Sequence, residues 1–289
     1  MRLGYPCQNL TLPSRFRTCR LQTMKTEGEE KVKELALHNF KELQRVLEWN
    51  ITENITFFRI SSDIVPFGSH PLLEWEWWKD DDILAAASSI KKLQQKHNMR
   101  LSVHPGQYTV LNSPKDNIVE NAVSDLEYHG HLLSLCGGTD MILHIGGGYG
   151  DKESAKERFI TNFDKVTPFV KESLRLENDD KTYHIEDVLE VSNHLKVPAC
   201  FDIHHHRCNP PGENETRSYI EDVFLTWKDK SIRPKMHISS GKAHQVDTSH
   251  ADYISDEDFH SFIDLLPDTN IDLMLEAKKK EKAVFALRM

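Results

Sequence analysis

The sequence predicts an α/β fold, a (β/α)8 or TIM barrel, on three observations. Short apolar, β-rich runs alternate with helical periodicities from one end of the chain to the other. The alternation repeats eight times within 289 residues, a length that suits one barrel. No linker, low-complexity stretch or break in composition interrupts it, so residues 1–289 read as a single domain. A doubly wound open sheet is the main alternative. No GxGxxG follows any strand, however, and Gly146-Gly147-Gly148 has the wrong spacing for a dinucleotide fingerprint.

The first strand is expected over residues 2–7. The helix after it is read from Val32, Ala36, Phe40, Leu43 and Leu47, spaced four, four, three and four apart. Strand two is Ile55 to Ile60, followed by a helix near 80–97 carrying Ile83, Leu84, Ala87, Ile90 and Leu93. Strand three is 100–103, with a helix over 116–135; strand four is 141–143, with one continuous helix over 152–171. Strand five is 173–176 and its helix 186–195; strand six is 199–203 and its helix 215–228. Strand seven is 235–238, with a helix over 256–266, and strand eight is 271–275. The remaining stretch, 277–289, is too short for more than a shortened last helix.

Such a chain can bury a large core without a disulfide or metal staple. No apolar run approaches the length of a membrane span, and the amino terminus has neither a signal-peptide nor a transit-peptide pattern. Five cysteines (7, 19, 136, 200, 208) include no CxxC pair, which suits reduced thiols and a cytoplasmic location. Lys and Arg number 36 against 45 Asp and Glu, a net charge of −9. That total argues against a nucleic-acid binder unless bound cations and local basic loops offset it.

The placement of histidine and carboxylate is more informative. Strand three runs into His104, strand four into His144 and strand five into Glu177. Strand six holds Asp202 and runs into His204-His205-His206; strand seven holds His237 and strand eight ends at Glu276. A barrel brings the carboxyl ends of its strands to one mouth. Imidazole and carboxylate without thiolate suit Mn, Zn, Fe or Mg, and so many donors imply two or three ions. Such a cluster fits phosphodiester hydrolysis or sugar isomerisation. Strand alternation favours His204 and His206 on the face of Asp202; His205 requires the strand to end by residue 203.

Eight motifs then occur in order: Leu3-Gly4-Tyr5, Phe67-Gly68-Ser69-His70-Pro71, His104-Pro105-Gly106-Gln107-Tyr108, His144-Ile145-Gly146-Gly147, Leu176-Glu177-Asn178-Asp179-Asp180, Phe201-Asp202-Ile203-His204-His205, Lys235-Met236-His237-Ile238-Ser239 and Glu276-Ala277-Lys278. Together they resemble the UV damage endonucleases over essentially the whole chain. The resemblance implies a TIM barrel similar to endonuclease IV. It implies a nick immediately 5′ of UV photoproducts (cyclobutane pyrimidine dimers and 6-4 photoproducts), leaving a 3′-hydroxyl without a nucleotide cofactor. It implies up to three divalent ions, Mn2+ first, with Zn2+, Mg2+ or Co2+ as alternatives.

Carried over by motif, the metal ligands are His104, His144, Glu177, Asp202, His205, His237, His250 and Glu276, with Glu177 bridging two ions. Glu177, His70, Lys235 and His237 form the implied catalytic set, His70 lying at the same mouth. Lys235 matches a lysine that is carboxylated in some relatives; an ordinary interior lysine paired with an acid is the alternative. Gln107 and Tyr108 would probe the strand opposite the damage, with Tyr5 near them, unless the tyrosines merely pack at the rim. Arg15, Arg17 and Arg20, in the loop after strand one, are candidate phosphate contacts. So is the Lys278–Lys282 run, whose alternative is a solvated tail. At least one tryptophan of Glu74-Trp75-Glu76-Trp77-Trp78 is expected to anchor its loop on the core.

The partner implied is UV-damaged double-stranded DNA, met by a monomer and not at a membrane. An abasic-site endonuclease of the endonuclease IV type, a metal-dependent sugar isomerase and a non-catalytic damage-binding module are the competing functions.

Overall fold

The computed structural model describes residues 1–13, 15–212 and 214–288. Eight parallel strands close in sequence order into one barrel. They are β1 (Arg2–Pro6), β2 (Phe57–Arg59), β3 (Arg100–Val103), β4 (Asp140–His144), β5 (Leu174–Glu177), β6 (Ala199–Asp202), β7 (Lys235–Ile238) and β8 (Asp272–Leu275). The helices α1 (Leu21–Thr52), α2 (Asp81–Lys96), α3 (Asp116–Cys136), α4 (Lys152–Phe163) and α5 (Pro168–Ser173) precede β5. After it lie α6 (Ile185–Leu195), α7 (Ile203–Cys208), α8 (Thr216–Thr226), α9 (Asp256–Ile263) and α10 (Glu281–Ala286). The predicted barrel and its shortened last helix are both present. No helix among the described residues is long and apolar enough to cross a membrane, and all five cysteines are unpaired.

The periodicities that predicted helices bury the residues they named: Val32, Ala36, Phe40, Leu43 and Leu47 on α1 all lie in the core between helix and sheet. Glycine at position 28, with φ 76°, lets α1 change direction before that stripe begins. Two expectations need correction. The single helix over 152–171 is two helices, because Pro168 lacks an N–H and starts α5 as its first residue. Strand six ends at Asp202, and α7 follows at once where only chain was expected.

Side-chain alternation sorts the strands into layers. At the amino-terminal floor, Arg100 grips Asp140 with Nε and Nη2 (2.7 and 3.0 Å) and Asp272 with Nη1 (2.8 Å). Arg175 adds Nε to Asp140 (2.9 Å), and Arg2 adds Nε to Asp272 (2.6 Å). The Trp227 ring lies against the guanidinium groups of both Arg100 and Arg175 (5.4 and 5.2 Å). Above the floor, Lys235 Nζ lies 5.4 Å from the centre of the Phe57 ring. Gly4 keeps the space beside that ring: a Cβ there would sit 2.5 Å from the Phe57 carbonyl oxygen. Strand register then sets the mouth, pairing His144 with Glu177 and Asp202 with His237.

Candidate functional site

At the mouth the strand ends converge on Glu177, which is wholly buried. Its Oε2 lies 2.9 Å from His104 Nε2 and 3.4 Å from His144 Nε2. Its Oε1 lies 2.5 Å from His237 Nδ1 and 4.0 Å from His205 Nδ1. Glu276 continues the group, with Oε1 3.3 Å from His237 Nδ1 and Oε2 3.8 Å from His250 Nδ1. In two sets the donor atoms lie within 4.8 Å of one another: His104, His144 and Glu177, and Glu177, Asp202 and His237. All eight residues expected as metal ligands therefore lie in one contiguous cluster.

His205 owes its place to a change of backbone. Asp202 is the N-cap of α7, its Oδ1 accepting the His205 backbone N–H at 2.8 Å. The change from strand to helix puts His205, three residues on, at the cluster. His204 is turned away to the Asp247 carbonyl (3.0 Å) and His206 to the Thr216 hydroxyl (3.1 Å). Strand alternation, which favoured those two, fails because no strand continues there.

Proton counting tests whether the cluster suits a cation. His104 Nδ1 sits 3.0 Å from the Pro105 carbonyl while its Nε2 faces Glu177. Burial holds the His104 imidazole down at about 4, so at neutral pH it has one proton for two acceptors. A donated Nδ1 proton leaves a nitrogen lone pair facing a carboxylate, a repulsion that a cation between them removes. The Nδ1 atoms of His144 and His205 also face backbone carbonyls, those of Glu177 and Asn178 (3.3 and 2.9 Å). Backbone carbonyls that fix one ring nitrogen and free the other are the usual support of histidine ligands. Asp202 Oδ2 is buried with no partner among the described residues. The donor set fits divalent ions.

Electrostatics agree. Burial alone would raise the carboxyls of Glu177 and Glu276; the surrounding imidazoles of His237, His144 and His104 hold Glu177 far below its usual range, and Arg59 with His237 holds Glu276 down. Burial would likewise lower His205, but Asp202, Glu177 and Glu276 outweigh it and lift the imidazole to about 9. Arg59 is a member of the cluster that sequence reasoning missed: its Nη2 reaches Glu276 Oε1 (2.5 Å) and His237 Nε2 (3.0 Å). Two-residue alternation from Phe57 on the interior face was the signal for it.

A family model described as UV-endonuclease UvdE matches residues 1–289. The chain belongs to the UvdE family of UV endonucleases. A UV DNA damage endonuclease of Bacillus mycoides (strain KBAB4) is 38% identical over 272 residues, covering 91% of this chain and 84% of the relative. The solved structure of SacUVDE superposes with a TM-score of 0.88 at 33% identity, covering 100% of this chain and 98% of that one. Endonuclease IV from Thermus thermophilus has a TM-score of 0.61 at 12% identity over 100% of this chain and 97% of its own, a likeness of fold alone. This UvdE-family chain is thus a UV-repair endonuclease with DNA as its substrate.

The other expected residues divide sharply. Gln107 and Tyr108 stand in solvent on the loop after β3, Tyr108 being 85% exposed. Arg15, Arg17 and Arg20 are exposed on the loop after β1. The His70 ring accepts the Leu72 N–H (3.1 Å) and, among the described residues, hydrogen-bonds only within its own loop. Trp77 is wholly buried and packs edge-on to Tyr128, anchoring its loop as expected. Tyr5 is a correction. It faces outward from β1 under α1, is fully buried, and donates to Asn50 (2.6 Å) while accepting from Asn9 (2.8 Å), so it has no face to offer a base. Lys235 is equally buried, but its Nζ has no hydrogen-bond partner among the described residues, so the alternative reading of an acid-paired lysine does not hold there. Burial lowers that ammonium from 10.5 to about 7.

Proposed function

We propose that this enzyme nicks duplex DNA immediately 5′ of UV photoproducts, cyclobutane dimers and 6-4 photoproducts alike, using up to three divalent ions, Mn2+ first, and leaves a 3′-hydroxyl. The observation that carries the proposal is the orientation of Glu177, whose two oxygens face different histidines. His104, His144 and Glu177 would hold one ion, and Glu177, Asp202 and His237 a second, with Glu276 beside it. His205 and His250, at the far side of Glu177 and Glu276, would hold a third. Ions held there would supply Lewis acidity toward the phosphate oxygens and a nucleophile at neutral pH.

The chain's own residues do the rest. Arg59 balances Glu276 and keeps His237 in place. The backbone carbonyls of Pro105, Glu177 and Asn178 fix the rings of His104, His144 and His205. His70 would approach the scissile phosphate from its loop. Lys235, without a hydrogen-bond partner among the described residues and with its ammonium lowered toward neutrality, is suited to take up CO2 as a carbamate, releasing a proton. Intact mass under non-denaturing conditions would reveal the added CO2, and an unmodified mass in CO2-equilibrated buffer would count against it.

On the DNA side, Tyr108 offers a stacking face and Gln107 an amide to the base edges left by a displaced lesion. Arg15, Arg17 and Arg20 would meet phosphates at the rim. A duplex must reach the whole mouth, which favours a monomer. The test is an end-labelled duplex carrying a cyclobutane dimer, an abasic site or no lesion, each with Mn2+ and with chelator. A Mn2+-dependent cut directly 5′ of the dimer, absent from undamaged DNA, is expected. Cutting only at the abasic site would reassign the substrate.

A further inference from the structure

The loop that carries Arg15, Arg17 and Arg20 has an unusual support. It lines most of a cavity of about 490 Å³, with Asn9, Thr11, Arg15 and Phe16 among the walls together with Val46 of α1. Leu12, Phe16 and Cys19 of the loop pack against the core, and hydrogen bonds fix the backbone between them. Two buried side chains from distant parts of the sequence provide them.

The first is Glu281, in the first turn of α10 and fully buried. Its two oxygens accept the Leu10 backbone N–H (3.1 and 3.0 Å), and Oε1 also accepts the Thr11 hydroxyl (2.9 Å). It makes no ion pair among the described residues, so a buried carboxylate is committed to this loop alone. The second is Asn39 of α1, also fully buried, whose amide accepts the Arg17 N–H (2.7 Å) and donates to the Arg17 carbonyl (2.8 Å). Between them, Asn9 Oδ1 accepts the Thr11 and Leu12 N–H groups, and Asn9 Nδ2 donates to Tyr5. Tyr5 thereby belongs to the support of the loop. The three arginines form no ion pair among the described residues, so their charges remain free for a ligand.

We propose that Glu281 and Asn39 are positioning residues for DNA: they hold the β1–α1 loop so that its arginines meet the phosphate backbone together. The proposal rests on the reading that those arginines touch DNA. Neither residue touches substrate; each acts through the backbone of the loop.

The experiment measures equilibrium binding of a dimer-containing duplex against salt, and nicking at saturating DNA, in the full-length protein. Arg15→Ala/Arg17→Ala/Arg20→Ala should reduce the salt slope by up to about 2.7. Glu281→Ala should weaken binding about tenfold and reduce the slope by about one to two. Its turnover at saturating DNA and its metal content should stay at the wild-type level, a KM effect without a kcat effect. Glu281→Gln, which keeps an acceptor, should restore most of the affinity. Thr11→Val removes one donor without disturbing α10 and should move binding in the same direction by a smaller step, even if Glu281→Ala folds poorly. Added to the triple arginine variant, Glu281→Ala should weaken binding no further. Wild-type binding by both Glu281→Ala and Thr11→Val, or an undiminished Glu281→Ala effect in the triple arginine background, would overturn the proposal. Wild-type binding by the triple arginine variant would instead overturn the reading beneath it.

Discussion

The two ends of the barrel bury charge on the same strands and treat it in opposite ways. At the floor, Asp140 and Asp272 meet Arg2, Arg100 and Arg175, and the guanidinium forks satisfy the carboxylates within the protein. Burial would raise Asp140, but Arg100 and Arg175 hold its carboxyl well below the carboxylate range. At the mouth, Glu177 and Glu276 meet mainly imidazoles, Asp202 has an oxygen with no partner among the described residues, and the Arg59 guanidinium bonds Glu276. Arginine carries its charge at any working pH, whereas a buried neutral imidazole offers a lone pair and no charge. One end is therefore a closed staple, and the other is suited to an added cation. That division is the one expected of this architecture, stability at the amino-terminal face and chemistry at the carboxyl-terminal one.

The comparison can be broken most forcefully at Glu177. Glu177→Gln should lower nicking about a thousandfold or more and reduce bound metal, while thermal stability holds or rises. Nicking rates with metal analysis check it, and retained metal with retained activity would erase the distinction between the ends. The mirror experiment is Asp140→Asn. Leaving Arg175 buried without its carboxylate, and Arg100 with Asp272 alone, should cost about 3–5 kcal/mol in urea unfolding, with metal content unchanged. A stable Asp140→Asn protein would mean the floor is not a staple.

Lys235 lies between the two regions and sharpens the contrast through pH. Burial lowers its folded-state value from 10.5 to about 7, so the unfolded chain binds this proton more tightly. In metal-free, CO2-free buffer, stability should fall as pH drops from 10.5 to about 7 and then level off. Lys235→Met should flatten that slope and stabilise the neutral-pH protein by about 1–4 kcal/mol. An unchanged slope, measured by urea unfolding across that range, would show the lysine is solvated. The smallest expected effect belongs to the rim. Gln107→Ala with Tyr108→Ala should cost about 1–3 kcal/mol of damaged-duplex binding and leave metal content alone. Unchanged binding would remove the probe role.

What was legible in the sequence follows from the same geometry. A parallel barrel sends every strand's carboxyl end to one place, so a histidine or carboxylate ending a strand could be assigned to the mouth without knowing any contact. His104, His144, Glu177, Asp202, His237 and Glu276 were readable on that ground. His205 was not, because Asp202 caps a short helix and the two-residue period stops there. Tyr5 was misplaced because it lies one residue from Gly4: alternation sends it outward to α1, while Gly4 faces Phe57. The floor network passed unnoticed because its partners lie on strands far apart in sequence, and a buried arginine on a strand resembles any other polar residue until its carboxylates are in view.

The central claim is that the mouth takes several cations through a shared Glu177. Titrating Mn2+ into chelator-stripped protein, followed by calorimetry and by thermal unfolding, tests it most directly. More than one ion per chain should bind, with release of the His205 proton below about pH 9 and a rise in Tm. Glu177→Gln should lose more than one of those ions together. Binding of a single ion that Glu177→Gln leaves untouched, or no binding at all, would contradict it.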